Sequence, residues 1–495
     1  MDKHVRIRNA IYIILLSAAL LFVYILANRV LLLKNIDGID QFRAYYHQEK
    51  NTVDVLVVGN SHSYCHVNPA ILWEDYGISA YDLGGGEQTM SISYYYIKEA
   101  LKTQRPKVLC LDVSTVSDRN SDTIARQWAI NNTFGMKYNR NRIDAIRSSV
   151  SEDTLKDYIL PLSSMHERYT ELGMTDFTDI HDSIDFKGYR PKEGIQSFEV
   201  PAAAMSEERL PLTAHQEKYL MDIINLTKSE GIPLYIMVTP YIMEEEEQAR
   251  LNTVLDIAKE NNITCTDFNK LYDEIGLDFN TDFAEKSHLN RVGSTKFTAY
   301  LGNILKNDYD LADHRGDPLY DSWNAAADRS RQDYAAFYMP SISYVKDFFD
   351  LFLNGKADVG GDWLKGHFTA NPDDYILFVM TGADRSLMSP DTIDSLASVG
   401  ISDPVPGGKY IVDGRGLVYR TDSPIFSKGY RTKLHDILFY SRENKEENRI
   451  DTFVRTDDEE HPLSEQDTSV LIYDKALGVF VRGIRIDPAG QIEEL

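Results

Sequence analysis

The chain has 495 residues, too many for one ordinary hydrophobic core, so two or three globular units are expected. Its 76 acidic residues against 52 basic ones give a formal net charge of −24, which argues against a nucleic-acid partner, because phosphate binding needs clustered Lys and Arg. The three cysteines, Cys65, Cys110 and Cys265, are widely spaced and show no metal-ligand pattern. Cys110 and Cys265 read as small core residues, and a redox role for Cys65 is the weaker of its two readings.

Lys3, Arg6 and Arg8 precede an uncharged apolar run, Ala10–Ala27, that is long enough to cross a bilayer. The positive-inside rule then makes 1–9 a cytoplasmic tail and 10–33 a single-pass anchor in the cell membrane, with the bulk of the chain extracellular. A cleavable signal peptide is the rival reading. No small-x-small site follows the run, however, and Arg29 and Lys34 come close behind it. Residues 34–51 read as a polar, helical connector that lifts the next domain off the membrane.

Over 52–308, apolar strands alternate with amphipathic helices, the pattern of a parallel sheet with helices on both faces. Strands are predicted at Val53–Val58, Ile78–Leu83, Lys107–Val113, Ile232–Pro240 and Ile263–Phe268. Helices are predicted at Pro69–Tyr76, Thr213–Glu230, Glu244–Asn261 and Ser294–Leu305. Residues 114–210 break the rhythm and read as an insertion, a lid over the strand ends. Within it, His166 is either a pocket-lining side chain or a helix-surface histidine. Residues 309–333, rich in Asp, Gly, Pro and Ala, mark a linker.

Beyond the linker, 334–495 reads as a smaller accessory α/β domain. It opens on an amphipathic helix around Tyr334–Leu353, then a strand at Tyr375–Met380 and a helix Pro390–Val399 capped by Ser389. Hairpins are predicted for Tyr410–Val412 with Gly416–Tyr419 and for Val470–Tyr473 with Val479–Arg482. The acidic patches at 112–122 and 451–460 lack EF-hand spacing.

Two stretches of 52–308 carry chemistry. Val55–Gly59 runs into Asn60-Ser61, a serine at the carboxyl end of a buried strand, where open α/β sheets build their sites. A serine hydroxyl is a weak nucleophile at neutral pH and needs a base. His288, at the far end of the α/β pattern, is the candidate. His62 also lies beside the nucleophile, but adjacent side chains on a strand-to-turn segment diverge.

These residues resemble the SGNH (GDSL-like) hydrolases and acyltransferases over Thr52–Lys306. Gly59-Asn60-Ser61 stands where that family has Gly-Asp-Ser, and Gly84 in Gly84-Gly85-Gly86 matches its backbone-donor glycine. Glu285-Lys286-Ser287-His288 matches its Asp-x-x-His with Glu for Asp, Asp282 being the substitute acid. The family's Gly-x-Asn-Asp has no counterpart in Asp112-Val113-Ser114-Thr115, and the amide of Gln88 is the replacement donor. The run Ser287–Asn290 with Gly293 and the following helix looks like the membrane-anchored bacterial cell-envelope branch, of teichoic-acid D-alanylation or polysaccharide O-acetylation type.

The resemblance implies a three-layer α/β/α fold in which Ser61 forms an acyl-enzyme and His288 moves the proton. The oxyanion would be held by the N–H groups of Ser61 and Gly84 with Gln88. No metal or cofactor is implied. The implied activity is that of a serine esterase or O-acyltransferase on acyl esters of a cell-envelope polysaccharide or teichoic-type polymer. A transferase would take its acyl group from a multi-spanning membrane protein. The alternative is a catalytically inactive surface scaffold or glycan-binding protein of the same fold. The C-terminal domain weakly resembles an interleukin-like EMT-inducer domain, on Asp374–Val379, the Ser389 helix ending at Gly400, and Val470–Asp474. That resemblance implies a compact α/β module, with a carbohydrate-binding role in some relatives.

Overall fold

The computed structural model describes residues 3–33, 36–118, 122–159, 165–177, 186–338, 349, 375–456, 459–475 and 477–495. One unit holds 1–192, 198–279 and 283–327, and a second holds 193–197, 280–282 and 328–495. In the first, α1 (Lys3–Leu31) contains a stretch, Ile7–Leu31, long and apolar enough to cross a membrane. The stretch expected to be a polar, helical connector is helical over part of its length and also joins the core. There α2 (Ile39–Tyr45) buries Phe42 and Tyr45, and Tyr81 donates its hydroxyl to the Gln41 carbonyl at 2.7 Å. The segment is polar on average, yet Ile39, Phe42 and Tyr45 recur at helical spacing, and that stripe docks it.

The apolar run at Val55 is the hub of a wholly parallel sheet. Its strands are β1 (Val55–Gly59), β2 (Ala80–Gly84), β3 (Val108–Asp112), β4 (Leu234–Val238) and β5 (Thr264–Asp267), in the order β2-β1-β3-β4-β5. All five predicted strands are present. The first four are buried along their whole length, which is why they read as continuous apolar runs. Between β1 and β3 the strand order reverses, and the crevice beyond the carboxyl ends at such a switch point is where open α/β sheets place ligands.

The helices in chain order are α3 (Ser61–His66), α4 (Pro69–Tyr76), α5 (Met90–Ala100), α6 (Arg126–Thr133), α7 (Arg140–Ser149), α8 (Leu155–Ile159), α9 (Met174–Phe177), α10 (Ala214–Glu230), α11 (Glu245–Glu260), α12 (Tyr272–Ile275) and α13 (Arg291–Asp308). Between α12 and α13 lies a small hairpin, β6 (Phe283–Glu285) with β7 (His288–Leu289).

The insertion is largely helical over 126–177, where it is described, and runs without regular helix or strand over 186–201. Its α7 packs on α5, and the Glu99 carboxylate accepts amide protons from Asn139 and Asn141 at 2.9 Å each. Its α6 covers the triple-glycine loop. A Cβ on Gly86 would meet the Trp128 ring at 2.5 Å and one on Gly85 would meet Asn132 Oδ1 at 2.3 Å, so those glycines allow close packing. The boundary between the two units falls within 309–333, the stretch expected to be a linker. Most of it is structured, and α14 (Asp321–Tyr338) begins inside it. Trp323 is buried, its indole N–H donates to the Ala80 carbonyl at 3.1 Å, and Lys187 Nζ lies 4.1 Å from its ring. One tryptophan outweighs the loop-like composition around it.

The second unit contains more strand than the α/β reading expected. A six-stranded sheet in the order β10-β9-β8-β15-β16-β17 is built from β8 (Tyr375–Met380), β9 (Lys409–Asp413), β10 (Gly416–Thr421), β15 (Thr468–Asp474), β16 (Val479–Ile486) and β17 (Ile492–Glu494). A separate four-stranded sheet comprises β11 (Ser427–Arg431), β12 (Asp436–Asn444), β13 (Arg449–Arg455) and β14 (Glu460–Leu463). Every pairing in both is antiparallel. Along β8, Tyr375, Leu377 and Val379 pack with Leu396 of α15 (Pro390–Ser398), and Ile376, Phe378 and Met380 pack with Phe439 and Val454. Burial on both faces explains its unbroken apolar run. The two predicted hairpins and the Ser389 cap are present, whereas most of the helix expected at 334–353 lies outside the described residues.

Candidate active site

At the end of β1 the chain passes directly into a helix, where the sequence suggested a tight turn. Asn60 is the N-cap of α3, its Oδ1 accepting from the His62 N–H at 2.9 Å and from Ser114 Oγ at 3.0 Å. Ser61 is therefore the first residue of the helix, half-buried, at the carboxyl edge of the sheet. Gly59 permits this corner. A Cβ there would lie 2.8 Å from Asp112 Cβ and 3.0 Å from Ser63 Cβ.

Glu285 and His288 flank the two-residue turn of the β6–β7 hairpin and face each other across it. Residues opposed across so tight a turn project side by side, which is the reason for a spacing of three. Glu285 Oε1 is hydrogen-bonded to His288 Nδ1, and Glu285 Oε2 accepts from the Ser287 N–H at 3.1 Å. The turn is fixed by the Ile242 N–H donating to the Lys286 carbonyl at 3.0 Å. Burial alone would raise the Glu285 carboxyl, but these hydrogen bonds outweigh it and hold it below its ordinary range. His288 is displaced downward, chiefly by burial, with the Glu285 bond opposing. Its Nε2 is buried and has no hydrogen-bond partner.

The serine helix and the histidine hairpin are fastened together by His66. Its Nε2 accepts the Leu289 N–H at 3.1 Å, so the ring proton must sit on Nδ1, which donates to Thr239 Oγ1 at 3.1 Å. Thr239, just past β4, donates its N–H to the buried Asp112 at 3.1 Å. Ser294 and Thr298 of α13 both donate to the His66 carbonyl at 3.1 Å. The rings of His62 and His66 lie 5.4 and 5.7 Å from that of His288. Burial keeps both neutral, His62 being lowered to about 3 and His66 well below its ordinary value. Of the three imidazoles, only His288 has a carboxylate partner to stabilise its protonated form.

The helix that Ser61 opens packs against the short strand that carries His288, and His288 is bonded to Glu285, although no hydrogen bond joins Ser61 to His288. Asp282 groups with the second unit and accepts from Thr281 Oγ1 at 3.0 Å. Gly84 faces the first turn of α3, where a Cβ would meet Tyr64 and Ser63 Oγ within 3.0 Å. Gln88 is fully buried and donates to Ser93 Oγ at 3.0 Å, while its Oε1, an acceptor, is unpartnered. Burial raises the Cys65 thiol above its ordinary range, which removes thiolate reactivity. The side chain of His166 lies outside those described.

Sequence reasoning missed His66, Thr239 and Asp112, whose roles depend on contacts 127 to 223 residues apart. It also missed Lys192, whose positive charge acts on both Glu285 and His288. No protein-family model matches the chain, and no curated protein matches it significantly.

Proposed function

We propose that the protein is a membrane-anchored serine esterase or O-acyltransferase of the SGNH type, acting on acyl esters of a cell-envelope polysaccharide or teichoic-type polymer outside the cell. The observation that carries this reading is His288, oriented through Nδ1 by Glu285 and presenting an unpartnered Nε2 beside the helix that Ser61 opens. In the first half-reaction Ser61 Oγ attacks the ester carbonyl while His288 Nε2 takes its proton, a hydrogen bond that forms when substrate is present. The tetrahedral oxyanion would be held by the backbone N–H groups of Ser61 and Gly84, at the N-terminal end of α3, where partial positive charge favours it. His288 then protonates the leaving oxygen, and water or a sugar hydroxyl attacks the acyl-serine in the second half. A multi-spanning acyl donor belongs to the transferase version alone.

A second reading, an inactive glycan-binding scaffold, draws support from the engaged amide of Gln88 and the missing Ser61–His288 hydrogen bond. A fluorophosphonate probe separates the two. Labelling of the full-length protein that disappears in Ser61→Ala is the expected result. Absence of labelling in folded wild-type protein would leave the scaffold.

A further inference from the structure

We propose that Tyr169, Met174 and Phe177 form a membrane-seating face, buried in the boundary layer of the lipid bilayer next to α1. This rests on reading α1 as membrane-spanning, and adds that the first unit sits on the bilayer rather than being carried above it.

The argument starts from length. At 1.5 Å per residue, the 25 residues Ile7–Leu31 extend about 37 Å, more than the roughly 30 Å of a hydrocarbon core. The last two turns are not free to face lipid all round. Tyr24, Ala27, Asn28 and Leu31, spaced as one helical stripe, are covered by the first unit. Leu31 packs with Ile130, Phe134 and Met165, and its carbonyl accepts from Arg168 Nη1 at 2.6 Å. The bare part, Ile7–Val23, is about 26 Å long, somewhat short of the same core. A short span is relieved when the structure around its end sinks by a few ångströms.

Around that end, three large apolar side chains are exposed among polar ones. The segment carrying Arg168 and the short helix α9 both pack against α1. Leu172 between them turns inward, whereas Tyr169, Met174 and Phe177 are 70%, 80% and 61% exposed. Single exposed apolar side chains are ordinary, but three within nine residues beside the end of a membrane-length helix form a patch with a position. A tyrosine with neighbouring Met and Phe is the composition that settles at a headgroup–acyl boundary. Continuity with α1 selects lipid as the occupant.

The test uses full-length protein with Cys265→Ser, reconstituted in phosphatidylcholine–phosphatidylglycerol vesicles. A polarity-sensitive fluorophore is placed in turn at Met174→Cys, Phe177→Cys, Leu15→Cys in α1, and Met205→Cys, an equally exposed apolar position away from α1. Shallow doxyl lipids should quench about half or more of the emission at 174 and 177, deep ones should act most strongly at 15, and neither should affect 205. If 15 is quenched while 174 and 177 behave like 205, the face is in water and the proposal is wrong. A blue shift at 174 and 177 without lipid quenching would mean that protein covers the face, which also overturns it. If 15 itself is not quenched, the membrane-spanning reading of α1 falls, and the seating face with it.

Discussion

The strand-end cluster of the first unit and the surface ion pairs of the second use ionisable residues in opposite ways. In the second, acids and bases pair with near neighbours in sequence and mostly at the surface. Arg431 faces Asp436 across the β11–β12 turn, and Arg449 meets Asp451 two residues on. In the first, the ends of parallel strands gather residues far apart in the chain, bury them, and leave some of their polar atoms without a partner. Local exposed pairs contribute little and are ordinary. Buried imidazoles converging from remote segments cost stability unless they are used, which makes the strand-end cluster the functional candidate.

The largest effects should come from the remote cluster. His288→Asn should slow fluorophosphonate labelling of Ser61 by about 10²–10⁴-fold, because no other imidazole there has an ionised partner. Glu285→Gln should cost less than loss of the histidine, about 10- to 100-fold, since it removes orientation and charge stabilisation but leaves the base. Folded Asp282→Asn protein should label at the wild-type rate. A slow Asp282→Asn and an unaffected Glu285→Gln would reverse the assignment of the acid. In wild type, labelling should fall off only below the ordinary histidine pKa of 6.5, because His288 is displaced downward.

Stability should vary with pH for the same reason. The native fold keeps His62 and His66 neutral, with proton affinities below those of the unfolded chain. Their contribution is complete above pH 6.5 and is lost as pH falls from there towards 3, with a slope of up to about 1.4 kcal/mol per pH unit for each group. Asp82 acts in the opposite direction. Its carboxyl is buried with both oxygens unpartnered and is raised well above 3.8, so its contribution is lost as pH rises from that value. Hence His62→Gln should flatten the rise of Tm between about pH 4 and pH 6, and Asp82→Asn should steepen it. Parallel curves for wild type and both variants would show that burial does not set these protonation states.

What the sequence made legible follows the same division. The parallel strands were readable because burial on both faces leaves an apolar run, and the Glu285–His288 spacing because a two-residue turn needs nothing distant. The strand-to-helix corner at Ser61 was read as a turn, since a six-residue helix has too few positions to show a period. The docking of α2 and of Trp323 was hidden by polar composition, and the four-stranded sheet by half-exposed strands with weak alternation. His66 could not be singled out at all. Its role is defined by the Leu289 N–H and Thr239, and no local pattern refers to either.

The smallest expected effect sharpens the contrast from the other side. Arg431 and Asp436 are opposed in register, with Arg431 Nε donating to Asp436 Oδ1 at 2.8 Å, and their side chains are 84% and 64% exposed. Water and salt screen a pair of this kind, and ordering two long side chains opposes what attraction remains. Arg431→Ala should therefore leave Tm unchanged within error at physiological ionic strength. It should also leave labelling of Ser61 unchanged. A Tm shift that persists in high salt would mean that the pair is shielded from solvent, and that the local pairs of the second unit are not the inert background against which the histidine cluster stands out.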